Sequence, residues 1–179
     1  MGETKLKIRF YTIADFKEEE IWLREEHKKG WKLTKMVPPY FYHFEKCPPE
    51  DVIYRLDFRN NKENEDYMQM VQDYGWEYLG HCVGWLYFRK STSSITNEND
   101  GEIFSDNTSR ANMISHIMKT RMLPLLIIFL SCVIPNALKM FDSAVSAVFT
   151  VFWSLMLVLY IYLLVHCSLK LRALKKDLE

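Results

Sequence analysis

Residues 122–166 read MLPLLIIFLSCVIPNALKMFDSAVSAVFTVFWSLMLVLYIYLLVH, two apolar runs separated by a short polar break at residues 139–143. No charge interrupts the first run, residues 122–138. At 1.5 Å rise per residue, about 17 residues is the lower limit for a helix crossing roughly 30 Å of hydrocarbon. The second run, residues 144–166, is longer and rich in Val, Leu, Phe and Tyr, so it spans with room for tilt. Neither run shows the polar stripe of a helix on the surface of a soluble bundle. The opening MGETKLKIRF lacks the apolar core of a signal peptide. The expectation is a transmembrane helical hairpin with the lipid bilayer as its partner.

The basic residues flanking the runs set the expected orientation. Lys119 and Arg121 precede the first span, and Lys170, Arg172, Lys175 and Lys176 follow the second, whereas the break holds only Lys139 beside Asp142. A cell-membrane protein with two spans and both termini cytoplasmic is predicted. Pro124 and Pro135 are tolerated in a span because local adjustment satisfies the freed carbonyls. No Asp, Glu, Lys or Arg lies mid-span, so an anchor or oligomerisation element is expected rather than an ion path.

Outward from the hairpin, residues 1–90 read as one cytosolic domain, residues 91–121 as a polar linker and pre-membrane helix, and residues 167–179 as a basic cytoplasmic tail. Residues 5–11 alternate, with Leu6, Ile8 and Phe10 opposite Lys5, Lys7 and Arg9, as in a half-buried strand. Asp15 caps a predicted helix that runs through Glu18, Glu19 and Glu20 to His27, Lys28 and Lys29 and stops at Gly30. Strands are expected at residues 31–37 and 40–46. The order then recurs: strand 51–58, a helix from about residue 63 to 74 stopped by Gly75, and strands 76–82 and 85–90. Gly30-Trp31 matches Gly75-Trp76, and Phe44-Glu45-Lys46 matches Phe88-Arg89-Lys90. The fold class is therefore read as α+β, a duplicated βαββ domain of ferredoxin-like type. Its mostly antiparallel sheet carries two helices on one face, and the transmembrane hairpin follows. Trp31 and Trp76 are both expected in its core. After Lys90 the run STSSITNENDGEIFSDN is linker-like, and Ser105 or Asp106 caps a helix that extends the first span.

With 23 basic and 23 acidic residues the net charge is zero, which argues against nucleic-acid binding as the main task. The four cysteines show no C-x-x-C spacing, and reduced structural thiols are expected. His43, Cys47, His81 and Cys82 do not share a face in a way that suits zinc, so no metal site is predicted. The scattered glycines form no phosphate loop, and no Cys-His pair has an oxyanion site. Acid pairs such as Glu18-Glu19-Glu20 and Glu25-Glu26 read as the solvated face of a helix. No catalytic residue and no cofactor are predicted.

If Leu6, Ile8, Phe10, Val52, Tyr54 and Leu56 face the helices, Arg9 and Arg55 turn to the other face, together with Phe41, His43, Trp85 and Tyr87. These six form the predicted binding surface for a protein partner, a ligand or a second copy in a homo-oligomer.

The runs WLREEHKKGWKL, FEKCPPEDVIYRLDF, DYGWEYLG, GWLYFRK and EIFSDN resemble a family of Gram-positive bacterial membrane proteins known as a domain of unknown function, over residues 5–121. The resemblance implies a membrane location and an association with PadR-like transcription regulators, whose genes often lie nearby; it transfers no catalytic residues. The functional expectation is a non-enzymatic, membrane-anchored regulatory or adaptor protein. An accessory subunit of a membrane transporter is the alternative.

Overall fold

The computed structural model describes residues 2–38, 40–59, 64–95, 98–103, 107–139 and 146–178, and the chain divides into two compact units, Met1–Ser109 and Arg110–Glu179. The first unit runs β1 (Thr4–Ile8), α1 (Phe16–Lys28), β2 (Trp31–Val37), β3 (Phe41–Lys46), β4 (Val52–Phe58), α2 (Glu65–Asp73), β5 (Glu77–Cys82) and β6 (Trp85–Ser91). The strands form two antiparallel three-stranded sheets, ordered β1-β3-β2 and β4-β6-β5.

Local chemistry explains the boundaries. Both helices stop at a glycine in the left-handed region, Gly30 at φ +85° and Gly75 at φ +80°. At Gly30 a Cβ would also come within 2.9 Å of the Cys47 carbonyl oxygen. Asn64 caps α2 by accepting from Asp66 N. Asp15 holds the cap position of α1 but makes no cap bond; its carboxylate turns back to Thr12, accepting from the backbone N at 2.8 Å and from Oγ1. Each sheet has a bulge in its second strand, between Leu33 and Lys35 in β2 and between Tyr78 and Gly80 in β5.

Helix α1 serves both sheets. Trp22 packs edge-on to Tyr42 and Phe44 of β3, while Phe16 lies 5.1 Å from the Trp85 ring of β6 and His27 meets Tyr54 of β4. Helix α2 sits on the other face of the second sheet, where Val71 joins Ile53, Leu86, Phe88 and Trp76 in a second core, with Tyr67 and Met68 packed against it. Side chains alternate along a strand, so Tyr54, Leu56 and Tyr87 point to α1 and Ile53, Leu86 and Phe88 to α2. The expectation of two helices on one face is corrected: the second sheet is covered on both faces and the first sheet on one. Trp76 is buried, but Trp31 is only half-buried and lies beneath the Lys5 ammonium.

The polar segment after β6 packs onto this unit. Ile95 and Ile103 lie against the second core, and Lys90 Nζ donates to the carbonyls of Tyr74 at 2.8 Å and Asp100 at 3.1 Å.

The second unit holds all but the first three residues of α3 (Asn107–Leu138) and all of α4 (Ala147–Lys176), two helices long and apolar enough to cross a membrane. Helix α3 widens into π turns at Met118–Met122 and Phe129–Val133, each just before a proline, Pro124 and Pro135. The wider turns accommodate prolines that lack an N–H and crowd the preceding turn. The rings of Phe129 and Tyr160 stack 6.3 Å apart between α3 and α4. Lys119 and Arg121 lie in the first π turn of α3, and Lys170 and Arg172 near the end of α4, which stays helical through the basic stretch to Lys176. The expected cap at Ser105 or Asp106 and nearly all of the break at residues 139–143 lie outside the described residues.

Candidate functional site

The buried stripe of α1 is partly acidic. Phe16, Glu19, Glu20, Leu23, Glu26 and His27 recur at helical spacing and are all buried. Glu19 Oε1 accepts from Tyr42 Oη of the first sheet at 2.9 Å and from Tyr87 Oη of the second at 2.8 Å. At 5% exposure it is desolvated, and this raises its carboxyl to about 7 even though the two phenols favour the charged form. Burial, reinforced by the acid, pushes both phenols above their ordinary range, and burial beside the acid lifts the Cys82 thiol to about 11.

The other two acids close the edges of the sheets. Glu20 Oε1 accepts from the backbone N of Leu56 at 2.8 Å, on the free edge of β4. Glu26 pairs with Lys7 of β1; burial opposes its charge, yet Lys7 and Lys29 hold the carboxylate below its ordinary value. His27 Nδ1 lies 2.8 Å from Tyr54 Oη, which itself accepts from Leu33 N at 3.4 Å. Burial lowers the His27 pKa, which favours the neutral imidazole in this contact. Glu19, Glu20 and Glu26 were expected on a solvated face. The signal against that reading was their phase: they share the i, i+3, i+4, i+7 stripe of Phe16, Leu23 and His27.

The six residues of the predicted surface do not come together. Trp85 and Tyr87 are 6% and 3% exposed, packed under α1. Arg9 points to the α1 side and lies over the rings of Tyr11 and Trp22. Arg55 turns to the α2 face and holds Glu102 at 2.9 Å and Glu20 at 3.4 Å. Only Phe41 and His43 stay on an open face, paired across the ladder with Ile8 and Leu6. The inversion begins in β1, where Lys7 rather than Leu6 or Ile8 faces the helix because a buried carboxylate, Glu26, waits there for it.

The outer face of the first sheet is therefore apolar. Leu6, Ile8 and Phe10 are 53%, 60% and 74% exposed in one row, with Phe41 and Val37 beside them and Tyr40 4.5 Å from Phe10, ring to ring. Lys32 is paired with Glu45 at 3.1 Å, so Lys35 and His43 give this face its basic side.

A family model described as "Protein of unknown function (DUF2812)" matches residues 15–127. The chain belongs to this family. In this DUF2812 chain the matched stretch takes in α1 with its three buried acids, all of the second sheet and the start of the first apolar helix, and leaves β1 outside. No curated protein and no solved structure matches the chain.

Proposed function

We propose that this protein is a non-enzymatic regulatory or adaptor protein, anchored in the membrane by its two apolar helices, whose α+β unit docks a protein partner on the outer face of its first sheet. The observation that carries the reading is the row of Leu6, Ile8 and Phe10, three large apolar side chains left in water on a sheet whose other face is fully used. Leaving such a row exposed is costly for solubility, and contiguous apolar surface marks interaction sites. Glu19, the carboxylate with a near-neutral pKa, has both phenol donors supplied by the protein and no exposed approach for a substrate, which favours a structural over a catalytic use.

The finer features of this reading are a Gram-positive source, a PadR-like transcription regulator as the partner, cytoplasmic termini and a ferredoxin-like unit that arose by duplication. Duplication is supported by the shared strand order, the bulge in each second strand and the Gly-Trp pair at each helix end.

The test is affinity capture of the full chain from mild detergent, beside the double variant Ile8→Glu, Phe10→Ser. A transcription regulator recovered with the native chain and lost with the variant supports docking on this face. Permease subunits recovered equally with both chains point instead to an accessory subunit of a transporter. A native chain that only self-associates through this face replaces the outside partner with a second copy.

A further inference from the structure

The two sheets meet along β2 and β5 without zipping into one. At one end the free edge of β2 is tied to the second sheet by side chains: Leu33 N donates to Tyr54 Oη at 3.4 Å, and Arg89 Nη1 donates to Leu33 O at 3.3 Å. Beyond Leu33, beside the bulge that each of these strands carries against its own neighbour, a groove of about 380 Å³ opens between β2 and β5. Met36 and Leu79 give its lining apolar surface, the almost fully buried Leu33 and Tyr87 lie behind them, and Thr34, Lys35 and His81 are its polar lining residues. Among the described residues no carboxylate lines it. Gly80 keeps the β5 side bare: at φ +132° the backbone is closed to ordinary side chains, yet a Cβ there would meet nothing within 4 Å. A strand glycine held for conformation beside empty space marks a place where a ligand can approach the backbone.

The geometry points to a binding site in this groove for a small organic anion, an aromatic or short alkyl carboxylate whose apolar body lies against Met36 and Leu79 and whose charged end meets Lys35. The volume is at the small end of the ~300–1,000 Å³ typical of small-molecule sites, and an apolar lining with a few polar groups at one end is their usual make-up. The Lys35 ammonium, with no acid among the lining residues, selects an anion over a cation. Lys35 has no carboxylate partner in an ion pair among the described residues, so its ammonium is available. Tyr87 then links the groove to the interior, because its hydroxyl donates to Glu19 at 2.8 Å and Glu19 holds the first sheet through Tyr42. A ligand in the groove lies beside a tyrosine whose acceptor, Glu19, is bonded to both sheets. The site goes beyond the docking reading and shares none of the residues altered in its test.

The experiment uses the full chain in lipid nanodiscs, with 3-phenylpropanoate as the probe and 3-phenylpropanamide as its neutral counterpart. Binding is titrated by saturation-transfer NMR against empty discs. The carboxylate is expected to bind, with affinity reduced roughly tenfold or more both for the amide and in Lys35→Met, the loss typical of one charge-assisted contact. Lys46→Met, which removes an exposed lysine paired with Glu3, should leave binding unchanged. No signal above empty discs overturns the site, as does equal binding of acid and amide that Lys35→Met does not alter. Either result leaves the docking proposal standing, since that falls only with the Ile8 and Phe10 variant.

Discussion

Glu19 couples the stability of the fold to pH, and the sign follows from its environment. Its carboxyl is raised from 4.5 to about 7, so the folded chain holds the proton more tightly than the unfolded one. Its contribution is complete below about pH 4.5 and is lost as pH rises through about 7. His27 works in the opposite sense: its folded pKa is lowered, so its contribution is present above about pH 6.5 and lost as pH falls. A melt of the native chain alone mixes the two, but comparison with Glu19→Gln isolates the acid. The amide keeps an acceptor for Tyr42 and Tyr87 and carries no charge. Glu19→Gln should match the native chain near pH 5 and exceed it at pH 8, by about 3 kcal/mol at most. Near-UV circular dichroism melts across that range measure the difference. A variant less stable than the native chain at pH 8 would mean that the charged acid is stabilised where it sits.

At the scale of elements, corresponding positions of the two sheets have different burdens. Trp76 closes the core under α2, whereas Trp31, at the same place after its own helix-ending glycine, lies half-open under Lys5. Trp76→Ala should therefore cost about 3–5 kcal/mol, and Trp31→Ala clearly less, as read from denaturant unfolding; equal losses would contradict the asymmetry. The same asymmetry marks the limit of what the sequence made legible. Strand and helix positions followed from alternation, glycine stops and caps, and residues 31–37 and 52–58 form strands where alternation placed them. The facing of β1 did not follow. Alternation shows that Leu6, Ile8 and Phe10 share a side, but the side is chosen by Glu26 some 19 residues away, which draws Lys7 inward. Taking Phe88 as the core side of β6 turns Trp85 and Tyr87 outward, yet all three are buried. Aromatic rings alternate on both faces of β6 because both faces are buried, so the pattern alone carried no facing information there.

For the whole molecule, the two apolar helices differ in how evenly they are built. Helix α4 has no proline and remains regular over its 30 residues, while α3 is interrupted by two π turns and by Pro124 and Pro135. The first span is thus the weaker of the two, and topology is where that matters. By the positive-inside rule, Lys119 and Arg121 at the first helix and Lys170 and Arg172 near the end of the second predict both termini in the cytoplasm. Reporter fusions at Gly2 and after Glu179 should both report cytoplasm. A C-terminal reporter on the outside would mean that α3 does not cross.

The position of α1 between the two sheets also sets an order of events during synthesis. When residues 1–47 have left the ribosome, α1 can settle on the first sheet, but Glu20 and His27 still lack Leu56 N and Tyr54, which are made later. The first half therefore waits with an acid, an imidazole and the Phe16 ring exposed, and neither half is a folding unit alone. Chains usually fold from the N-terminus as each domain is completed; here completion comes only when β6 delivers Tyr87 to Glu19. The apolar helices follow it in the chain, so the α+β unit can close before they are made. Separate fragments 1–48 and 49–109 should each show no cooperative melt and should regain one when mixed, a complementation that tryptophan fluorescence would follow through Trp85 as it comes to rest against Phe16.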